Sequence, residues 1–503
     1  MNTVVVGAGL GGLAAAIEAA AAGFQVAVVE SAPSSGGKVG TAVLDGVEVD
    51  TGPSVLTLPD VLRATLSRAG MRLEDHLSLR APAPAFRYLY PDGVVVDVYA
   101  EPEQTLVSVD RALGSAARAE LADFLAYAGR IWDVSQTAFI RGDRPGWRTL
   151  FDRPPSEWVR VFDIDPFRTM DGAIAARVRN PYLRTLLRRY ATYNGSDVRR
   201  APAALNCISH VELALGGFGV EGGVSRIAAV MEQAARRLGV GFHFCERVDA
   251  ITGTPGQVTG VTLQSGRTLP ADAVVWNGEV AALHTAGAAV GLSAPTPSLT
   301  PDSTSGWTGI LRTRRRTGAA ARVAHTVVFP ADYTAEFQDL FDRRRTPVDP
   351  TVYLCAQEPC HGRTGWTEDE PVFAMINAPA EDLTTPSPFD ADAVGAQVLR
   401  RLITADLVDP GARWVWCRTP RQLAERFPAS GGSLYGRASN SMWAGFRRPA
   451  NRVDGVRGLY VAGGTAHPGG GMPLVMLSGQ AAVRSLVADF GSRPSLLTAQ
   501  AAG

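Results

Sequence analysis

The sequence predicts an α/β protein in which a strand-helix-strand unit with a parallel sheet is joined to a second, mixed helix-and-strand part. Three observations support this prediction. The chain opens with an apolar strand, a glycine-rich loop and an Ala-rich helix. A second strand, glycine turn and helix follow near the C-terminus. Of the 503 residues, 46% are hydrophobic and 19% are charged, as in globular proteins with a large buried core.

The first elements form a βαβ unit. The β-branched run Asn2–Val6 predicts a buried parallel strand. Residues 13–22 predict a helix that ends at Gly23, and Gln25–Val29 predicts a second strand. A hydropathy window would also mark residues 4–29 as a membrane span. The run contains patterned glycines and polar residues, and no basic segment precedes it, so we expect neither a signal peptide nor a transmembrane helix.

Downstream, the pattern changes several times. Residues 104–200 are mostly helical, and residues 225–238 form an amphipathic helix. Residues 241–276 predict several short strands with turns, and residues 286–306 a linker rich in Pro, Ser, Thr and Gly. The remaining predicted elements are strands at 323–329, 351–356 and 458–462, helices at 391–405 and 474–489, and a disordered tail at 493–503.

The charge balance and the cysteines exclude several classes of protein. Basic and acidic residues both total 49, so the chain lacks the basic excess typical of nucleic-acid binders. The five cysteines show neither zinc-ligand spacing nor a disulfide framework. We therefore predict no metal site and a reducing compartment.

The glycine loop has the chemistry of a dinucleotide site. Gly7, Gly9 and Gly12 form G-x-G-x-x-G between strand and helix, and Gly11 lies in the same loop. These glycines permit a tight turn, close approach of a pyrophosphate and close packing of the helix on the strand. The helix N-terminus attracts the phosphates. Glu30 ends the second strand, where a carboxylate accepts hydrogen bonds from ribose hydroxyls.

A second glycine pair, Gly36 and Gly37, precedes Lys38, the only lysine of the chain. A nicotinamide-binding unit does not need this pair. The pattern resembles the extended fingerprint of FAD-binding oxidoreductases of the glutathione-reductase and amine-oxidase type. That resemblance implies a Rossmann-like FAD-binding domain, with Gly52 in a turn near the flavin ring and Val248 on a strand beside the adenine.

The most specific motif is the C-terminal segment 459–474. Its strand, glycine turn and helix start present bare backbone amides to an anionic or electron-rich ligand. It resembles the closing motif of the carotenoid desaturase family, and the triple glycine before Met-Pro-Leu resembles the branch that desaturates hydroxylated acyclic carotenoids at C3-C4. Segments 190–196 and 431–436 agree with this branch, whereas 194–198 and 276–279 depart from it. The residues that the resemblance assigns to FAD here are Gly463, Gly464, Gly471, Met472, Pro473 and Leu474.

The resemblance implies a carotenoid 3,4-desaturase with non-covalently bound FAD. Its substrate is then an apolar, 1-hydroxylated acyclic carotenoid, and its electron acceptor is oxygen or a quinone. FAD accepts the two electrons, so the chemistry needs no metal or Ser-His-Asp set. Thr192, Tyr193 and His325 are candidate contacts for the substrate hydroxyl, with a purely structural histidine as the alternative for His325.

Residues 130–190 hold 12 arginines against 7 acidic residues, with aromatic residues between them. This mixture favours a helical lid that contacts the bilayer surface, on a cytoplasmic protein held peripherally at the inner face of the membrane. The alternative is an ordinary helical domain with its aromatic residues in the core.

These interpretations divide the chain into two discontinuous domains. Residues 1–103, 205–285 and 445–492 are assigned to the FAD-binding domain. Residues 104–204 and 286–444 are assigned to a mixed α+β substrate domain with the lid. Four alternatives stay open: a phytoene-type desaturase, a carotenoid end-group oxidase, a flavin amine oxidase, and a non-catalytic prenyl-binding protein. The intact flavin fingerprint argues against the last of these.

Overall fold

In the computed structural model, buried β-branched runs form the strands, and Ala-rich or amphipathic runs form the helices. The structure describes residues 1–144, 163–293, 303–381, 389–441 and 444–491. Its strands, in chain order, are β1 Asn2–Val6, β2 Gln25–Val29, β3 Thr41–Leu44, β4 Val47–Asp50, β5 Leu79–Arg80, β6 Phe86–Leu89, β7 Val95–Val98, β8 Gly219–Val220, β9 Gly241–His243, β10 Val248–Thr254, β11 Gln257–Leu263, β12 Thr268–Pro270, β13 Ala273–Trp276, β14 Ser305–Arg314, β15 His325–Val328, β16 Val352–Ala356, β17 Asp369–Ala378, β18 Arg413–Arg418 and β19 Leu459–Val461. Its α-helices are α1 Leu10–Ala21, α2 Pro59–Ser67, α3 Pro102–Leu113, α4 Ser115–Ser135, α5 Met170–Arg177, α6 Pro181–Arg188, α7 Cys207–Leu213, α8 Ser225–Arg237, α9 Val280–Ala286, α10 Tyr333–Phe337, α11 Gln357–His361, α12 Ala391–Thr404, α13 Pro420–Arg426, α14 Ala444–Arg447 and α15 Met472–Phe490.

The strands of the predicted βαβ unit belong to a parallel five-stranded sheet, in the order β19-β13-β1-β2-β9. The predicted βαβ unit is confirmed, because β1 and β2 pair in parallel and α1 connects them. The apolar run at the N-terminus is therefore a strand, a helix and a strand. Among the described residues, no helix combines the length and the apolar character needed to cross a membrane.

Helix α1 begins at Leu10, three residues earlier than the apolar pattern predicts, because the loop glycines enter the first turn. It packs closely against the C-terminal helix α15. A Cβ atom on Gly479 would lie 2.3 Å from the Gly11 carbonyl oxygen. Because Gly479 has no side chain, the helices at the two ends of the chain can pack closely. Each of the two glycine-rich loops leads into one of these helices.

A seven-stranded sheet, in the order β18-β14-β17-β16-β15-β6-β7, forms the second part of the molecule. Strands β6 and β7 belong to it, because β6 pairs with β15 in parallel and with β7 in antiparallel fashion. The sequence analysis assigned residues 86–98 to the FAD-binding domain. This pairing places residues 86–98 in the seven-stranded sheet. We therefore propose a domain division in which they belong to the substrate domain.

A smaller antiparallel sheet, β10-β11-β12, packs beside the five-stranded sheet and shares its apolar core. The predicted helix and short strands between residues 225 and 276 are confirmed. The tail at 493–503 and much of the lid segment, including Trp147 and Trp158, lie outside the described residues.

Candidate functional site

The carboxyl ends of three adjacent parallel strands, β1, β13 and β19, meet at one edge of the five-stranded sheet. Such an edge is where open α/β sheets bind their ligands. Asn277 follows β13 and joins the three ends. Its backbone N–H donates to the Val6 carbonyl, and its side-chain Nδ2 donates to the Ala462 carbonyl at 3.1 Å.

The N-terminal glycines are required by geometry. Gly7 has φ +100°, a conformation that L side chains rarely adopt. A Cβ atom on Gly12 would lie 2.0 Å from the Gly7 carbonyl oxygen, and one on Gly9 would lie 3.0 Å from the Asn277 side chain. The loop therefore follows a path that only these residues allow.

The start of α1 presents donors without partners from the helix itself. Its first α-helical bond runs from the Leu13 amide to the Gly9 carbonyl, so the amides before Leu13 have no acceptor within the helix. No side chain among the described residues caps this end. Glu30 lies at the same edge, where its carboxylate accepts from the amides of Ala8, at 2.7 Å, and Ala32, at 2.8 Å.

The second glycine pair lies directly against the first loop. The Gly36 amide donates to the Ala8 carbonyl, and a Cβ atom on Gly37 would lie 3.1 Å from the Cα of Gly9. Lys38 extends from this pair towards other segments of the site. Its Nζ atom lies 3.2 Å from the Glu279 carboxylate and donates to two backbone carbonyls of residues 433–434.

Gly52 packs on the backbone of Lys38, because its Cβ atom would lie 2.3 Å from the Lys38 carbonyl oxygen. Val248 is buried at the start of β10, just after a segment that pairs with residues 30–32. The predicted adenine strand therefore starts close to the segment that carries Glu30, the predicted ribose acid.

The C-terminal loop closes the site from the other side. A Cβ atom on Gly11 would lie 3.2 Å from the Cα of Gly463, so the two glycine loops are in contact. The Gly463 amide donates to Ser478 Oγ at 3.0 Å, which fixes the loop on α15. The predicted residues Gly464, Gly471, Met472, Pro473 and Leu474 lie along this loop and in the first turn of α15, which no side chain of the described residues caps.

These residues fit a flavin dinucleotide. Two helix N-termini that no described side chain caps meet at bare glycine backbone, which accommodates a pyrophosphate, and a carboxylate lies where a ribose is expected. Sequence analysis missed Asn277 as a member of this site. The signal was its position just after a buried strand that ends at the ligand-binding edge.

A buried polar cluster lies beyond the flavin motifs, at the border of the seven-stranded sheet. Arg189 donates to the Tyr88 hydroxyl at 3.2 Å and lies 3.9 Å from a Glu212 oxygen. Glu212 accepts from the hydroxyls of Tyr190, at 2.9 Å, and Tyr193, at 2.6 Å. Burial raises the pKa of the Tyr193 phenol well above its usual value, so this group stays a proton donor.

The three predicted substrate contacts lie in different surroundings. The Tyr193 ring lies 4.8 Å from the Arg189 guanidinium and is half-buried. Thr192 donates its hydroxyl to the Arg189 carbonyl at 2.8 Å. His325 is buried, and both ring nitrogens face protein groups: the Tyr353 hydroxyl at 2.8 Å and Cys360 Sγ at 3.4 Å.

Arg448 connects this cluster to the flavin motif. Its guanidinium donates to the Asn194 side chain at 3.2 Å and to the Gly464 carbonyl at 3.0 Å. Asn194 directly follows Tyr193, so the tyrosine lies one residue from a side chain that is tied to the C-terminal loop. Sequence analysis missed Arg189, Glu212 and Arg448, because charged residues distant in sequence give no local pattern.

His467 in the C-terminal loop reaches the segment after α4. Its Nε2 atom lies 3.2 Å from the Gly142 carbonyl oxygen, which places a proton on Nε2. Burial lowers the pKa of His467 to about 4, so the ring is uncharged at neutral pH.

The described part of the lid segment contains an exposed aromatic residue, as a bilayer-contacting lid requires, and a buried one, as an ordinary helical domain requires. Trp132 is buried in α4, whereas Phe167 is 76% exposed beside Arg168. The lid prediction therefore depends on Phe167 and on aromatic residues outside the described ranges.

Comparison with known proteins gives matches over nearly the whole chain. The family model described as flavin containing amine oxidoreductase matches residues 10–361. A hydroxyneurosporene desaturase of Rhodobacter capsulatus is 34% identical over 498 residues, which cover 97% of this chain and 98% of that protein. A 4,4'-diapolycopene oxygenase of a Methylomonas species is 31% identical over 505 residues, which cover 97% and 98%.

A solved structure of similar fold is that of an oxidoreductase from Methanosarcina mazei. It covers 96% of this chain and all of its own, with a TM-score of 0.62 at 18% sequence identity. At this identity the similarity concerns the fold alone.

Proposed function

This chain belongs to the flavin-containing amine oxidoreductase family and, within it, to the carotenoid desaturases, and on that premise we propose that it introduces the C3-C4 double bond into a 1-hydroxylated acyclic carotenoid. The observation that carries the proposal is the 34% identity to a hydroxyneurosporene desaturase over 97% of the chain. The two glycine loops, which are in contact at Gly11 and Gly463 and each lead into a helix that no described side chain caps, support a working flavin site.

Desaturation removes a hydride and a proton from adjacent carbons, and non-covalently bound FAD supplies the acceptor for the two electrons. The chain's own task is to position one C–H bond and to exclude water. Gly7, Gly9, Gly11, Gly12 and Gly463 would shape the pyrophosphate cradle, Glu30 would hold the ribose, and Val248 would cover the adenine. The second glycine pair with Lys38 would brace this cradle against the loop at 433–434.

We assign recognition of the substrate hydroxyl to Tyr193, supported by Glu212 and Arg189. A C40 polyene offers few polar handles, so one polar anchor at its hydroxylated end would distinguish it from hydrocarbon relatives. Tyr193 is half-buried and carries a protonated phenol that touches a carboxylate. Thr192 is a weaker candidate because its hydroxyl donates locally, and His325 is weaker because both its nitrogens have partners.

The test of the activity is expression in cells that accumulate acyclic carotenoids with and without the 1-hydroxyl group. We expect loss of two hydrogens and a red-shifted absorption spectrum with the hydroxylated substrates alone. Conversion of colourless phytoene would instead indicate an early-pathway desaturase. The Gly12→Ala variant, whose Cβ atom collides with the loop, is the matched flavin-free control.

The anchor is tested by the ratio of kcat/KM for substrates with and without the hydroxyl. Tyr193→Phe removes one hydrogen bond of about 1 kcal/mol, so the ratio should fall roughly fivefold while the flavin content is unchanged. Thr192→Val serves as the neighbouring control. An unchanged ratio in Tyr193→Phe would remove the tyrosine from this role.

A second candidate function is oxidation of a carotenoid end group, which the 31% identity to a 4,4'-diapolycopene oxygenase favours. The same expression experiment separates it, because an oxidase adds oxygen to the product whereas a desaturase only removes hydrogen. Product masses that gain oxygen would replace the desaturase proposal.

Contact with the bilayer is proposed from the substrate and from one exposed side chain. A carotenoid resides in lipid, and Phe167 is 76% exposed next to Arg168. A peripheral protein at the inner membrane face should float with anionic liposomes, and Phe167→Ser should weaken flotation. Val43→Ser, which changes an apolar residue that is 72% exposed in β3, is the control. Equal flotation of both variants would contradict a contact through Phe167.

We further propose that the electrons pass on to oxygen or to a quinone. The protein is reduced under anaerobic conditions and then mixed either with oxygenated buffer or with an anaerobic quinone solution. Return of the oxidised flavin spectrum identifies which acceptor reacts.

A further inference from the structure

Two thiols and one imidazole meet in the core between the flavin motifs and the seven-stranded sheet. His325 lies in β15, Cys355 in β16 and Cys360 in α11. Each of the three is at most 2% exposed. One ligand atom from each residue lies within 4.8 Å of the other two, and Cys360 Sγ is 3.4 Å from His325 Nε2. Both cysteines are free thiols.

We propose that Cys355, Cys360 and His325 bind one thiophilic metal ion, of the Zn²⁺ or Cu⁺ class. Thiolate sulfur and imidazole nitrogen are the ligands that these ions select. Zinc binds sulfur at about 2.3 Å and imidazole nitrogen at about 2.0 Å, so the ligands of one ion lie roughly 3.5–4 Å apart. The 3.4 Å separation of Cys360 Sγ and His325 Nε2 matches that spacing.

The surroundings of His325 hold its ring in the orientation that a ligand needs. The Tyr353 hydroxyl lies 2.8 Å from Nδ1, and the ring stacks on Phe86 with centroids 4.5 Å apart. When Nδ1 carries the proton and donates to the tyrosine oxygen, Nε2 keeps a free lone pair directed at the sulfur atoms. Metal-ligating histidines commonly have such a partner on their second nitrogen.

The fourth position distinguishes the two ions. His361 Nε2 lies 3.9 Å from Cys355 Sγ, but its Nδ1 accepts from the Val220 amide at 3.2 Å. The His361 proton therefore lies on Nε2, where it faces the sulfur. Three ligands suffice for Cu⁺, whereas tetrahedral Zn²⁺ requires a fourth, and His361 takes that place only if its Nδ1 gives up the hydrogen bond from Val220 and carries the ring proton instead. Binding releases the two thiol protons to solvent, and the resulting two thiolates and Zn²⁺ together are neutral, which favours zinc in a buried site.

The sequence analysis predicted no metal site, because His325 and Cys360 are 35 residues apart and no ligand spacing marks them. Pairing of β15 with β16 brings His325 opposite Cys355. Cys360 Sγ also lies 3.8 Å from the carbonyl of Ser54, in the segment that follows the predicted flavin-ring turn. A bound ion would therefore connect that segment to the seven-stranded sheet, a structural role that does not depend on the desaturation reaction.

The experiment measures metal content rather than activity. The protein is produced in zinc- or copper-supplemented medium, purified without a metal column, and desalted under reducing conditions. Metal per chain is determined by mass spectrometry for the wild type, Cys355→Ser, Cys360→Ser and the control Cys207→Ser, which changes a buried cysteine elsewhere. Affinity is measured by competition with a chromophoric chelator, and bound FAD reports whether each variant folds.

We expect one ion per chain in the wild type and in Cys207→Ser. Affinity should fall by at least about tenfold in Cys355→Ser and Cys360→Ser, with FAD retained. Loss of zinc but not copper in His361→Gln would assign the ion as four-coordinate zinc. A wild-type metal content no higher than that of Cys355→Ser and Cys360→Ser, in both media, would overturn the proposal. So would a Cys355–Cys360 disulfide in the purified wild-type protein, because its sulfur atoms cannot act as thiolate ligands.

Discussion

At the scale of single residues, Gly12 tests how tightly the N-terminal loop is constrained. A methyl group at this position would lie 2.0 Å from the Gly7 carbonyl oxygen, so Gly12→Ala must displace backbone rather than a flexible side chain. We expect a loss of about 3 kcal/mol or more in the free energy of unfolding, and a purified protein without flavin colour. Denaturant unfolding and the flavin-to-protein absorbance ratio measure the two effects.

Gly241→Ala is the matched control, because it lies in β9 of the same sheet and its added methyl group would meet only one atom, at 4.0 Å. It should keep its flavin. Normal flavin content in Gly12→Ala would show that the loop can relax, and would weaken the assignment of the cradle.

Single residues also show what the sequence could and could not predict. Glu30 was predictable, because a carboxylate at the end of the second strand follows from a local pattern. Glu212 was not, because its partners Arg189 and Tyr193 lie about 20 residues earlier in the chain and only the fold brings them together. Local rules describe loops, whereas a buried ion pair depends on contacts between distant segments.

At the scale of elements, the contact between α1 and α15 holds the two flavin loops together. Gly479→Ala would place a methyl group 2.3 Å from the Gly11 carbonyl oxygen and 2.8 Å from the Ala15 amide. We expect the helices to separate slightly, at a cost of about 1–3 kcal/mol in stability, with weaker FAD binding. Thermal unfolding and titration of the apoprotein with FAD test this. Gly445→Ala, which meets open space in α14, should unfold like the wild type, and equal behaviour of the two variants would contradict close helix packing.

The C-terminal loop gives a prediction about pH. Burial lowers the pKa of His467 to about 4 in the folded protein, below its value of about 6.5 in the unfolded chain. Between these values the unfolded chain binds a proton that the folded chain does not. The resulting stability is complete above about pH 6.5 and is lost as the pH falls towards 4, with a total of about 3 kcal/mol.

His467→Gln should therefore flatten the decline of the free energy of unfolding over this pH window, as measured by urea denaturation at several pH values. His76→Gln is the control, since it removes a histidine from a half-exposed turn. A wild-type slope in His467→Gln would mean that another group causes the acid sensitivity.

At the scale of the whole molecule, the two sheets differ in how far the sequence could predict them. The five-stranded sheet follows from short apolar strands next to glycine loops, and those signals are local. The seven-stranded sheet pairs β6 with β15, which lies more than two hundred residues further along the chain. Nothing near residues 86–89 indicates that partner, so no local pattern predicts that this segment joins the seven-stranded sheet. The cluster of His325, Cys355 and Cys360 has no local signal for the same reason, since pairing of β15 with β16 creates it.

This architecture predicts which parts of the chain FAD should stabilise. The cradle joins residues at the two ends of the chain, around Gly7 to Gly12 and Gly463 to Leu474, through the contact of Gly11 with Gly463. Binding should therefore slow hydrogen exchange in β1, α1, β19 and the first turns of α15 together. Strands β14 and β17, which pair along their whole length inside the other sheet, are the internal control and should change little. Exchange measured by mass spectrometry on apoprotein and FAD-loaded protein decides this. Protection confined to one end of the chain would contradict a shared cradle, because a ligand held by both loops must stabilise both.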